Sequence, residues 1–165
     1  MIAECQAWVE DALKGAGIPP DRISDNPAAL ELNQALPRAV RVLGREKLKR
    51  DGSRVARDDA ADGKTRVFRR RRWFRTLPVD LYLFHKTTAE ADQVLDEVLA
   101  AAVSGPVDAQ GNRHRVRANE ANWVVEKSAT LQQVKVLLPL EFEGGVYRDE
   151  RVPLVKDVAP EPEGN

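Results

Sequence analysis

The chain has 165 residues, 42% of them hydrophobic, with 26 Lys and Arg balanced by 26 Asp and Glu. That length and apolar content suit one domain with a real core and argue against wholesale disorder. No run of about eighteen apolar residues and no basic-then-apolar leader is present, so neither a membrane span nor a signal peptide is expected, and the protein is expected to be soluble and intracellular when made.

Ile2 to Ala16 is predicted as a helix, because Ile2, Cys5, Val9, Ala12 and Leu13 or Ala16 fall on one stripe while Glu4, Glu10, Asp11 and Lys14 lie mostly off it. Gly15 and Gly17 supply its stop, and Pro19-Pro20 forbids continuation. Cys5 is the single cysteine, which excludes an intrachain disulfide framework and a multi-cysteine zinc site, and it reads as a small buried hydrophobe. Ile18 to Pro27 reads as a loop or short extended piece. Ala28 to Leu36 fits a weak helix and an extended segment equally.

From Arg38 to Arg75 the chain holds fifteen of its 26 Lys and Arg but five of its 26 Asp and Glu, so formal neutrality covers a charge separation. Asp51-Gly52 and Asp62-Gly63 are tight-turn signals between runs containing Val40, Val42 and Leu48, then Val55, then Val67, Phe68, Trp73 and Phe74. An extended basic β-hairpin or meander is therefore expected. Within Thr65 to Arg75, Val67, Arg69, Arg71, Trp73 and Arg75 alternate with Arg66, Phe68, Arg70, Arg72 and Phe74, so neither strand face is a clean core face.

Leu77 to His85 has apolar residues on both faces and reads as a central strand with a helix on one side. A second helix is predicted over Ala89 to Val103, with Thr87 and Glu90 at capping-box spacing and Ala91, Val94, Leu95, Val98, Leu99 and Ala102 as its buried stripe. Ser104-Gly105-Pro106 ends it. Arg113 to Arg117 reads as another basic strand, followed by strands at Trp123 to Val125 and Leu131 to Leu138. Pro139 is expected at a sheet edge or strand end, and Gly144-Gly145 is expected to break the chain. Ala159 to Asn165, rich in Pro, Glu and Gly, reads as a disordered tail after a single domain. The fold class that follows is α+β: a mainly antiparallel sheet with two helices packed on one face and the basic hairpin extending from it.

Chemistry-bearing patterns are few. His85 and His114 are too few for a histidine-only metal site, and no HExxH or CxxC spacing occurs. Neither Ser53 nor Ser104 sits in a nucleophile-elbow context. Asp58, Asp59 and Asp62 lack the spacing of a calcium loop. No catalytic residue, metal or cofactor is expected. Arg69, Arg70, Arg71 and Arg72 beside Trp73 and Phe74 support three readings: a subunit interface, a nucleic-acid contact, or a solvated hairpin protected from aggregation by arginine. In the interface reading Arg66, Arg69 to Arg72 and Arg75 meet the acidic Glu90, Asp92, Asp96 and Glu97 of a neighbouring copy, with Trp73 and Phe74 as anchors.

Trp123 followed by a strand, and FEGGVYRDE from Phe142 to Glu150, resemble the closing segment of tail terminator and tail-completion proteins of long-tailed bacteriophages and Mu-like prophages. The N-terminal helix, the proline-rich loop and the helix after Thr87 to Asp92 are similar in order, so the resemblance spans about Met1 to Val155. It implies a structural virion protein of the tail and neck, assembled in the host cytoplasm. Such a protein forms a hexameric ring that caps the tail tube, stops its polymerisation and offers a surface for the head–tail connector, with transient contact to genomic DNA and none to a membrane. Gly44 to Thr65 departs from the pattern as an insertion-like arm.

Overall fold

The computed structural model describes residues 1–31, 35–61, 63–127 and 132–154. Two helices, α1 (Ile2–Gly15) and α2 (Thr88–Ala102), accompany eight strands: β1 (Ile23–Ser24), β2 (Arg38–Leu43), β3 (Lys47–Arg50), β4 (Arg54–Asp59), β5 (Thr65–His85), β6 (Arg115–Ala118), β7 (Asn122–Lys127) and β8 (Gln132–Pro153). They form one sheet of order β1-β2-β5-β8-β6, with β3 and β4 also on β5 and β7 also on β8. The pairings of β2 and β4 with β5 and of β6 and β7 with β8 are antiparallel and that of β1 with β2 is parallel, so the sheet is mixed and the class is α+β, as expected.

The chain divides into two compact units, the first Met1–Leu48 with Arg75–Gly144 and the second Lys49–Phe74 with the segment from Gly145 onward. In the first unit α1 contributes buried Cys5, Val9 and Leu13 at helical spacing. Past its end stands Gly17, whose φ of +87° suits glycine; the Gly17 N–H donates to the Lys14 carbonyl and Ile18 N–H to the Leu13 carbonyl. Helix α2 buries Ala91, Val94, Leu95 and Val98, and its N-terminus is capped by the Thr87 hydroxyl, which accepts from the Glu90 N–H at 3.2 Å. Both helices pack onto Leu77, Val79, Leu81 and Leu83 of β5 and Val134, Val136, Leu138, Leu140 and Phe142 of β8. The opposite face carries a smaller cluster of Ala29, Val40 and Phe84, with the Arg38 guanidinium 3.7 Å from the Phe84 ring centroid.

Three expectations about strand breaks are corrected. Thr65 to Arg75 and Leu77 to His85 are one 21-residue strand, and β8 runs unbroken through Pro139 and Gly144-Gly145 over 22 residues. Each internal proline stands where the neighbouring strand changes: Gly44 N–H donates to Pro78 O between β2 and β3, and Asn119 N–H donates to Pro139 O between β6 and β7. A missing proline N–H interrupts no ladder at such a junction. Asp51-Gly52 is not a chain reversal either, since β3 before it and β4 after it both pair with β5. The basic stretch is thus one long hairpin rather than a meander. Gly63, with φ +60°, lies in its loop, whereas Asp62 and the tail from Ala159 lie outside the described residues.

Candidate functional site

The second unit is a ribbon of β4, the first half of β5 and the end of β8. Leu154 N–H donates to the Lys64 carbonyl at 2.7 Å, which brings the end of β8 beside the start of β5. Every residue of β4 is exposed. None of the buried hydrophobic residues of the protein falls in this unit among the described residues.

Side-chain charge takes the place of a core. Arg66 Nε donates to Asp59 at 2.7 Å, Arg69 makes a two-pronged contact with Asp149 at 2.9 and 3.2 Å, and Arg70 pairs with Glu150. Arg71 Nε donates to Asp51 Oδ2 at 2.6 Å. Asp51 also accepts from the Ser53 N–H at 2.8 Å, the Ser53 hydroxyl at 3.0 Å and the Gly52 N–H at 2.7 Å. The Ser53 N–H, then the Arg71 guanidinium, hold its carboxyl well below the usual carboxylate range, and the Arg69 guanidinium lowers that of Asp149. Guanidinium groups also cover aromatic rings, Arg54 over Phe68 at 4.6 Å and Arg71 over Phe74 at 4.8 Å. Partly exposed pairs of this kind are weak individually and screened by salt.

Most of the sequence-predicted arginine ridge is therefore neutralised within its own unit. Arg75, in the first unit, pairs with Glu46 at 2.8 Å. Arg72 is exposed without an acidic partner among the described residues, as are Arg50, Arg57 and Arg148, whereas Arg151 lies within charge range of Asp149. Trp73 is 42% exposed, while Phe74 is half-buried. The acidic candidates lie on α2 in the first unit. Glu90 is engaged at the cap, where it accepts from Lys86 N–H at 3.3 Å, and Asp92, Asp96 and Glu97 are exposed and without partners among the described residues.

A groove of about 410 Å³ lies between α1 and α2, lined by Trp8, Ala12, Gly15 and Ala100 with Asp11 and Glu97 at its rim. Small residues on the facing helix turns leave this space, and Trp8, edge-on to Phe142 at 5.5 Å, walls it. The histidines sit elsewhere: His85 and His114 are buried, and burial pushes both below the usual histidine range. Among the described residues no three His, Cys, Asp or Glu side chains converge as a metal-ligand set, and no helix is long and apolar enough to cross a membrane.

Sequence reasoning missed Asp149 and Glu150 as partners of the ridge. Their signal is present in Arg148 to Arg151, where two adjacent acids offer one carboxylate to each face of a strand. It also missed the groove, which the small residues Ala12, Gly15 and Ala100 leave open.

No protein-family model matches the chain, and no curated protein matches it. Among solved structures it is similar to a chain of a structure described as the virion of native gene transfer agent (GTA) particle, at 15% identity and a TM-score of 0.41, covering 87% of this chain and 97% of that one.

Proposed function

We propose that the chain is a non-catalytic subunit of a phage-like virion, which associates with copies of itself as a ring at the end of the tail tube. In that role the ring, a hexamer in the resembled family, stops addition of tube subunits and presents its other face to the head–tail connector. The next tube subunit finds no matching surface there, which is sufficient to end a helical polymer.

The observation that carries the reading is the ribbon. It has no buried hydrophobic residue among the described ones, yet it exposes Trp73, Val55, Val146 and Val152. A small sheet without a packed face has little to stabilise it alone. Burial of these apolar residues and of Trp73 against another protein supplies what the unit lacks. The resemblance at Trp123 and Phe142 to Glu150 supports the class of assembly, and that second stretch delivers Asp149 and Glu150 to the ribbon.

Light scattering behind a sizing column, with nucleic acid removed and salt varied, tests this. A species near six copies that shrinks as salt rises is expected. A second reading, a nucleic-acid contact, is favoured by the exposed Arg50, Arg57, Arg72 and Arg148 on a ribbon that also exposes a tryptophan. A monomer that retains nucleic acid until high salt supports that reading and overturns the ring.

A further inference from the structure

We infer that the groove between α1 and α2 is the receptor for the ribbon of a second copy, with Trp73 as the inserted anchor and Arg50 as its flanking cation. This rests on the self-association reading above and names the two surfaces that meet.

Three observations converge on the pair. Trp73 is 42% exposed on a unit with no buried hydrophobic residue among the described ones, so a large part of its indole has no intramolecular cover. Arg50 precedes Asp51, whose N–H donates to the Arg72 carbonyl, so the β3–β5 ladder sets Arg50 alongside Trp73, and its guanidinium has no acidic partner among the described residues. The groove is complementary in both respects: its floor is small and apolar, and Asp11 and Glu97 stand at its rim, with Asp92 and Asp96 exposed on the same helix as Glu97.

An indole entering this floor buries an amphipathic ring at little cost in side-chain freedom, the pattern of interface hot spots. The carboxylates attract Arg50 and steer the approach. Different patches meet, so the contact is heterologous and a pair of copies keeps one unused groove and one unused ribbon between them. Repetition of such a contact generates a ring when the rotation closes.

Two variants on opposite sides test it. Trp73→Ala removes the anchor, and Ala100→Trp fills the groove from an exposed helix position. Each alone is expected to weaken association by about thirtyfold or more, the loss given by a hot-spot aromatic. Mixed together they retain one intact pairing, the Ala100→Trp ribbon in the Trp73→Ala groove, and are expected to form a one-to-one dimer by sedimentation velocity. Arg50→Glu with Glu97→Arg in a single chain is expected to recover association that either lacks. Circular dichroism confirms that every variant is folded. Wild-type assembly with no dimer in the mixture and no recovery by the charge exchange overturns this docking while leaving self-association standing. A folded wild-type chain that stays monomeric at every concentration overturns both.

Discussion

Gly144→Ala is expected to destabilise the first unit through one clash. A Cβ at position 144 would stand 2.8 Å from His114 Cε1, closer still to Nδ1, and 3.2 Å from Met1 Sδ. His114 is 1% exposed, and its main chain is fixed by donation of its N–H to the Pro106 carbonyl at 2.8 Å. The ring is packed in the interior, so either it or β8 must shift. Overpacking of this sort costs about 1–3 kcal/mol, which for a chain of this size lowers the melting temperature by about 3–10 °C. Gly145→Ala is the contrast. Its Cβ would meet Arg71 Cδ at 2.7 Å and Cγ at 2.8 Å and Tyr147 Cζ at 2.9 Å, side chains of the unit without a buried hydrophobic core, which can shift at the expense of the Arg71–Asp51 pair. Its expected melting shift is smaller. Thermal unfolding of both variants, together with His114→Ala and the Gly144→Ala/His114→Ala pair, decides the matter. Removing the ring should cost less in the Gly144→Ala background than in the wild type. Wild-type melting of Gly144→Ala, or simple additivity of the pair, would refute the clash.

Other consequences can be measured on the same protein. Phe142 is fully buried and edge-on to Trp8, so Phe142→Ala should lose about 3–5 kcal/mol in denaturant unfolding; a loss below about 1 kcal/mol contradicts its place in the core. His85 and His114 are held below the ordinary histidine value of about 6.5 by burial, so the unfolded chain takes up their protons first as pH falls. Stability from their neutral forms is therefore complete above about pH 6.5 and declines below it, and His85→Gln should reduce that slope; a flat profile between about pH 7 and 5 contradicts it. Burial pushes the Cys5 thiol up to about 12. Its alkylation at neutral pH should track unfolding, and reaction at the rate of a free thiol would show that the α1 core face is open.

The helices were legible because apolar spacing and caps agree there: Cys5, Val9 and Leu13 on α1, and Thr87 with Ala91, Val94, Leu95 and Val98 on α2, fall where periodicity and capping chemistry put them. Strand extents were not, because local breakers say nothing of what stands opposite. Pro78 and Pro139 continue their strands only because neighbouring strands change at those points, a property of pairing and not of the tripeptide around the proline. Asp51-Gly52 misled for a related reason: the aspartate that reads as a turn residue binds Ser53 and Arg71 across a junction between two strands that share one partner. The charge separation was visible as a count along the chain, but its meaning changed once β8 brought Asp149 and Glu150 to Arg69 and Arg70, 80 residues away in sequence. What survives as a candidate surface is narrower than the ridge: Trp73 and the cations that no carboxylate reaches.

The central claim, that the ribbon completes its stability against another copy, is tested most directly by hydrogen exchange across a concentration series. Amides of β4 and of residues 65–74 and 145–153 should exchange quickly in dilute protein while those of Leu77 to Leu83 and of β8 from Val134 to Phe142 remain protected, because only the latter lie in a hydrophobic core. Protection of the ribbon should then rise with concentration and fall again in high salt, in step with the mass of the particle. Ribbon amides already as protected as the core in dilute monomer, and indifferent to concentration, would contradict the account.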